Sequence, residues 1–519
     1  MLRTKTIYFY IFYIIALIPI FVFRDYTPDN ELRYLSIIDE ALENHTYFAF
    51  TNHSIPYADK PPLFFWGMMA LKSVSGGHYF LLYSILVVLP AILIARIFDR
   101  WTADIIPTDC RIVSQGMLLL SGLFIASTLV LRMDMLMCLF IVLAFYEFWK
   151  IKLNPRNNLA KCWFPVFIFL AVFTKGPYGF LIPFVCILIY VLICRNLRLF
   201  GRAWGWRCWV ILIPLFALWF SMVYLEGGPE YLNNLLFHQT MDRAVNSFHH
   251  ARPFYYYLIS LLYCLIPWTL AIIGLIITGL IRRRFTESLQ TFFIVVSVTT
   301  LILLSCVSSK IQIYLLPAIP FMIYSAAVSF PRYQKEASVK SGLAVIAVIF
   351  LLVLPAYAIA KHSGVLPFED SVWCWLVAIT FTLSGGISLF FIFQKRARRP
   401  FNNGSMAIIY GMLAAIFFAG FAVPEFNDYI GYKNLADKIK EVEETTGITS
   451  IKCLDVRRPE NLDVYLHRKV EIIENEANNN DFKNYGKSPF ILVTDKKNCS
   501  EIDSREIFTV GKYSVAVIQ

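Results

Sequence analysis

Two charged runs stand close together near the amino end of the chain, each hemmed in by long stretches of hydrocarbon. One is Thr27-Pro28-Asp29-Asn30-Glu31-Leu32-Arg33-Tyr34; the other is Asp59-Lys60-Pro61-Pro62-Leu63. Asp29 and Glu31 are carboxylates of the kind that deprotonates an incoming hydroxyl, and Arg33 beside them is an electrostatic partner. Lys60 precedes two prolines, which fix the backbone and restrict the sweep of its side chain. A fixed ammonium of that sort suits a phosphate. The plainer alternative makes Asp29 and Glu31 ordinary loop acids and has Lys60 snorkel to a membrane surface.

Other polar residues interrupt the apolar background further along. Arg132-Met133-Asp134 reads first as an ion pair holding a turn. Lys175 in Thr174-Lys175-Gly176-Pro177 puts a cation at a helix break, either against a ligand or simply beside a capped corner. The loop 226–253 holds His238, Gln239, Asp242, Arg243, His249, His250 and Arg252. Its histidines, with Asp242 and Asp59, are candidate metal ligands, although no tight ligand spacing separates them from a solvated loop. Lys310 and Tyr314 lie one turn apart, where a helix would show an ammonium and a phenol on one face to a phosphate. Nine of the eleven cysteines lie in or beside apolar segments, Cys453 and Cys499 being the exceptions, and no C-x-x-C occurs. Neither a zinc ribbon nor a redox motif is supported.

The elements that must position these groups are membrane helices. The 519 residues are 58% hydrophobic and only 16% charged, with mean hydropathy +0.59, which marks a polytopic membrane protein. Apolar runs fall near 7–23, 79–98, 112–131, 133–149, 162–174, 177–194, 208–225, 254–281, 290–306, 311–329, 341–360, 372–393 and 405–423, thirteen in all. The run 7–23 lacks a small-residue cleavage site and reads as a retained first span. With the amino terminus inside, every second loop is basic, from Arg96, Arg100 and Arg111 to Lys395-Arg396-Ala397-Arg398-Arg399. The first loop (24–78), the Arg132 turn, the Lys175 corner, the loop 226–253 and the Lys310 corner then all face outward. Their charges have no positive-inside explanation, and their convergence on one face is the pattern of an extracytoplasmic active site.

Within the first loop, Leu35, Ile38, Ala41 and Leu42 recur at helical spacing, which predicts an amphipathic helix in the interface. Pro61-Pro62 opens a second helix, Leu63 to Lys72. After Val423 the composition turns polar. From Glu425 onward there are 14 Lys and Arg against 17 Asp and Glu, a net of −3, so with +11 on the whole chain the preceding part carries +14. That basic membrane portion suits anionic headgroups or phosphate ligands, and no basic-aromatic run suits nucleic acid. Tyr432 to Thr446 reads as a helix with Leu435, Ile439 and Val442 on one face and Gly447 as its stop. Short β-rich runs follow at 448–454, 470–473, 490–493, 507–510 and 513–518, with a turn at Asn478-Asn479-Asn480-Asp481. The organisation is a membrane domain, 1–423, and a small outer α/β domain, 424–519.

The ordered set of motifs resembles the GT-C glycosyltransferases of the ArnT and protein O-mannosyltransferase group. It comprises Pro-Asp with Arg-Tyr closely following, Asp-Lys-Pro-Pro-Leu, Arg-x-Asp, Thr-Lys-Gly-Pro, His250-Ala251-Arg252-Pro253-Phe254-Tyr255, and Ser309-Lys310-Ile311-Gln312-Ile313-Tyr314-Leu315-Leu316-Pro317. The resemblance implies an α-helical GT-C fold of about thirteen spans in a bacterial inner membrane, with a periplasmic carboxyl-terminal domain. It implies inverting transfer of a sugar from a polyprenyl (undecaprenyl) phosphate donor to lipid A or another envelope glycolipid; a protein acceptor is the alternative. By position, Lys60, Arg33 and Tyr314 would hold the donor phosphate, with Lys310 nearby. Tyr34, Asp59, Lys175 and Arg252 would contact substrate. Asp59 with His249 or His250 would hold zinc. The family run is Asp-Glu-x-Arg-Tyr, so an ungapped alignment puts Asn30 at the acidic position. Asp29 as base requires one inserted residue, and Glu31 is held in reserve. A transporter or flippase remains the rival of another class; it would carry mid-span charges and internal repeats, and neither is visible.

Overall fold

The computed structural model describes residues 2–237, 252–281, 288–364, 371–394, 398–473, 489–501 and 507–518. Each of the thirteen apolar runs contains helix. Among the described residues, eight helices are long and apolar enough to cross a membrane, or ten if each of two bent pairs is one span. The bent pairs are Arg111–Leu119 with Gly122–Leu129, at 62°, and Tyr256–Cys264 with Thr269–Gly279, at 112°. Their breaks meet: the Gly122 N–H donates to the Ile266 carbonyl at 2.6 Å, and a Cβ on Gly122 would lie 2.8 Å from the Tyr263 carbonyl oxygen. The remaining runs form Asp134–Leu153, which carries four charged residues, and two shorter apolar stretches, Tyr178–Ile193 and Gln312–Ala327.

The first loop folds between the helical bundle and the carboxyl-terminal α/β domain, called the outer domain after its expected side. Its amphipathic pattern yields the helix Arg33–Asn44, but not one lying on lipid: Leu35, Ile37 and Ile38 are fully buried, and Ser36 on another face donates to Asp463 of the outer domain. Burying each of those aliphatic side chains contributes about 1.5–3 kcal/mol, more than a shallow interfacial position returns. Pro62 caps the second helix, Leu63–Ser75, which ends at Gly76.

In the outer domain, strands run in the spatial order Glu471–Ile472, Ile451–Leu454, Phe490–Asp495, Tyr513–Ile518, Ile507–Val510. The first three are mutually parallel and the last two join antiparallel. The helix Lys433–Thr446 buries Leu435, Ile439 and Val442 and stops at Gly447, whose φ is +71°. That left-handed stop needs glycine. The turn expected at 478–481 lies outside the described residues.

Candidate functional site

Three separate motifs converge on one cavity of about 260 Å³, lined by Asp59, Lys60, Lys175 and Tyr314. Lys60 sits just ahead of the amino terminus of Leu63–Ser75, where the helix dipole favours anions. Its ammonium pairs with Asp59 Oδ2 at 2.7 Å, and the Tyr57 hydroxyl donates to the same oxygen at 3.3 Å. Lys175 is the last residue of helix Asn158–Lys175 because Gly176 takes φ +95°, a conformation that ends the helix and aims the side chain inward. Its ammonium pairs with buried Asp134 and stands 4.9 Å from the Tyr314 ring centroid. Arg132 Nε donates to the other Asp134 oxygen at 3.1 Å, so the Arg132 turn is held by an ion pair and also reaches the cavity through Lys175. The other walls include Leu181, Trp219, Phe220, Leu235 and Leu236. A cation-bearing floor with apolar walls suits an anion attached to hydrocarbon.

The two first-loop acids have different surroundings. Glu31 is fully buried. It accepts from Arg24 Nη2 at 2.5 Å, the Thr27 N–H at 2.8 Å, the Thr27 hydroxyl at 2.9 Å and the Leu131 N–H at 2.7 Å. Those bonds occupy both oxygens and pin the first loop to the Arg132 turn. Asp29 is more exposed and meets Arg457 of the outer domain in a two-pronged pair, 2.6 Å from Nη2 and 2.7 Å from Nε. Arg33, one turn on, stands beside the Tyr57 phenol. Burial raises the Tyr57 phenol well above its ordinary pKa, keeping it a neutral hydroxyl that can donate to Asp59. Buried Tyr34 packs edge-on to Phe65, near the charges of Arg132, Asp134 and Asp59.

Lys310 is placed elsewhere. Ile311 is extended (φ −131°, ψ 141°) and a 3-10 turn begins only at Gln312, so Lys310 and Tyr314 do not share a helix face. The Lys310 ammonium donates instead to the Val307 carbonyl at 2.6 Å and the Arg252 carbonyl at 3.1 Å. Arg252 is exposed. His249 and His250 lie outside the described residues, and among the described residues no three His, Cys, Asp or Glu side chains gather as a metal site. Of the expected zinc ligands, Asp59 is the one among the described residues, and it lies on the cavity wall.

Sequence reasoning missed Tyr57, Arg24 and the outer-domain residues Arg457 and Asn461, whose amide donates to the Pro28 carbonyl at 2.7 Å. Tyr57 lies two residues before Asp59, the one local signal among them.

Over 99% of its length the chain matches the crystal structure of ArnT from Cupriavidus metallidurans bound to undecaprenyl phosphate, with a TM-score of 0.76 at 16% identity and 98% of that chain covered. The chain has the ArnT fold. ArnT-like sequences agree. An undecaprenyl phosphate-alpha-4-amino-4-deoxy-L-arabinose arabinosyl transferase of Shewanella sediminis is 24% identical over 385 residues, 71% of this chain and 68% of that protein. The transferase of the same name from an Enterobacter species is 25% identical over 375 residues, 68% of this chain and 65% of that one. The sequence matches thus cover about two thirds of these relatives, whereas the fold match is nearly complete. No family model matches the chain.

Proposed function

We propose that this chain is an integral-membrane glycosyltransferase that moves a sugar from undecaprenyl phosphate to a lipid A-type glycolipid at the periplasmic face of a bacterial inner membrane. The observation that carries the reading is the gathering of Asp59, Lys60, Lys175 and Tyr314 around one apolar-walled cavity. Similarity to the named arabinosyl transferases supports the donor and the reaction class. In this reading the amino terminus is cytoplasmic and the outer α/β domain periplasmic.

The acceptor oxygen attacks the anomeric carbon from the face opposite the phosphate. As that bond forms, the carbon–oxygen bond to phosphate breaks and the polyprenyl phosphate departs with the electron pair. Lys60, with Tyr314 and Arg33, stabilises the charge that grows on the leaving phosphate, so no general acid is needed. Asp29 takes the acceptor's proton once Arg457 yields it, and the prenyl tail runs out along the apolar walls. A divalent metal shared by Asp59 and His249 or His250 belongs to the same proposal; it would help neutralise the phosphate, and chelation would then suppress transfer.

The test is Lys60→Ala in membrane vesicles supplied with undecaprenyl-phosphate sugar. Transfer should fall roughly 100-fold or more, the scale of one lost charge-stabilising donor, while expression and melting stay near wild type. Retained transfer would remove the phosphate role of Lys60. Mass spectrometry of lipid A and other envelope glycans from a deletion strain would name the sugar and acceptor.

A further inference from the structure

We propose that Glu226 and Tyr231 are positioning residues that hold the Asp59–Lys60 pair against the apolar wall of its cavity. The inference rests on the phosphate role proposed for Lys60. The helix Trp206–Asn233 supplies Trp219 and Phe220 to that wall, and Leu235 and Leu236 follow directly after it. Between these two pairs the helix breaks at Gly228, whose φ is +76°. The first loop is gripped at that break.

Glu226 Oε1 accepts the consecutive N–H groups of Tyr47, Phe48 and Ala49, at 2.8 Å each. Three successive amides around one oxygen form an anion-binding nest, and the carboxylate charge strengthens each bond. The helix has no need of an acid at this point. The turn before Gly228 is the carboxyl end of a helical segment, where the dipole disfavours negative charge. Gly227 lets helix and loop touch, because a Cβ on it would lie 2.7 Å from that of Ala49.

Tyr231 grips the same loop from the buried side. The loop turns back on itself as a hairpin, Thr51–Asn52 against Ile55–Pro56, and the Tyr57 N–H donates to the Phe50 carbonyl at 2.8 Å. A hydrogen-bonded antiparallel pair would return the second bond directly, from the Phe50 N–H to the Tyr57 carbonyl. Here the Tyr231 hydroxyl stands between them. It accepts from the Phe50 N–H at 3.0 Å and donates to the Tyr57 carbonyl at 2.8 Å. Two residues on is Asp59, which accepts from the Tyr57 hydroxyl and pairs with Lys60. Tyr231 therefore fixes the backbone from which that pair projects, and a misplacement of about 1 Å at a reacting centre costs on the order of 100-fold in rate.

The full chain in membrane vesicles with undecaprenyl-phosphate sugar is assayed for transfer, and by hydrogen exchange over residues 47–57, as Glu226→Ala, Glu226→Gln and Tyr231→Phe. Glu226 is exposed, so water takes over the freed amides and melting should stay near wild type in its variants. Glu226→Ala and Tyr231→Phe should speed exchange over 47–57 and lower kcat roughly tenfold or more per folded molecule. Glu226→Gln keeps an acceptor oxygen and should recover most of both. On a Lys60→Ala background, Glu226→Ala should lower transfer no further, because it acts through Lys60. Glu230→Ala, which removes an exposed carboxylate from the same corner, should behave as wild type. Wild-type exchange in both Glu226→Ala and Tyr231→Phe would overturn the proposal, as would an undiminished loss on the Lys60→Ala background. Wild-type kcat in both, beside an inactive Lys60→Ala, would remove this inference alone. Full transfer by Lys60→Ala would remove the phosphate role and this inference with it.

Discussion

Glu31 separates a base from a pillar, and its environment lets the two be told apart by measurement. It accepts four hydrogen bonds and has no exposed surface. Glu31→Ala leaves Arg24, whose side chain is only 11% exposed, without its counter-charge, and leaves the Leu131 and Thr27 N–H groups without acceptors. Breaking a buried ion pair from one side costs about 3–5 kcal/mol, and orphaned backbone donors add to that. The expected result is a melting transition lowered by several degrees in detergent, with transfer per folded molecule falling far less than in Lys60→Ala. Glu31→Gln, which keeps an acceptor oxygen for part of the network, should recover part of the stability. The assay is thermal unfolding by fluorescence-detected size exclusion, paired with turnover normalised to the folded fraction. If Glu31→Ala melts like wild type and yet transfers nothing, Glu31 is the base and Asp29 is not.

Lys175→Met and Asp134→Asn should each destabilise by about 3–5 kcal/mol, and the double variant by clearly less than their sum because the two groups share one pair; additive melting shifts would show that the pair is not coupled. Gly176→Ala forces a side chain onto φ +95° and should cost about 1 kcal/mol or more, with reduced transfer as Lys175 is re-aimed; unchanged melting would remove the strain argument. Burial raises the Asp25 carboxyl above its ordinary value of 3.8, so the folded chain binds this proton more readily than the unfolded chain. Its contribution is full below 3.8 and is lost as pH rises through the raised value, so the melting temperature of wild type minus that of Asp25→Asn, taken with its sign, should fall with rising pH. A wild type that gains on the variant as pH rises would reverse the sign of the shift.

The spans were legible because hydrocarbon of the right length reports itself, and the outer helix because Leu435, Ile439 and Val442 keep a 3.6 period up to a glycine stop. Asp59, Lys60, Lys175 and Tyr314 were legible for a related reason. Asp59, Lys60 and Lys175 each sit between apolar segments where membrane anchoring asks for nothing of their kind, Tyr314 lies just inside the run 311–329, and all four line one cavity. Spacing alone failed at Lys310, because the helix expected to carry it to Tyr314 is interrupted by extended Ile311. It also failed to rank the first-loop acids. Glu31 answers to Leu131, a hundred residues away, and Asp29 to Arg457, 428 residues away. Local periodicity holds no information about either.

Those two long-range contacts give the acids opposed properties. Glu31 gives up every lone pair to fix the loop against the Arg132 turn, and a carboxylate so satisfied would have to lose several bonds before it could take a proton. Asp29 is held by a single residue whose own side chain is 73% exposed, a pair that solvent screens and that is worth at most about 1 kcal/mol. Freeing Asp29 therefore costs little, whereas freeing Glu31 would unpin the loop that carries both. On energetic grounds Asp29 changes partners at less cost than Glu31, which supports Asp29 over Glu31 as the proposed base.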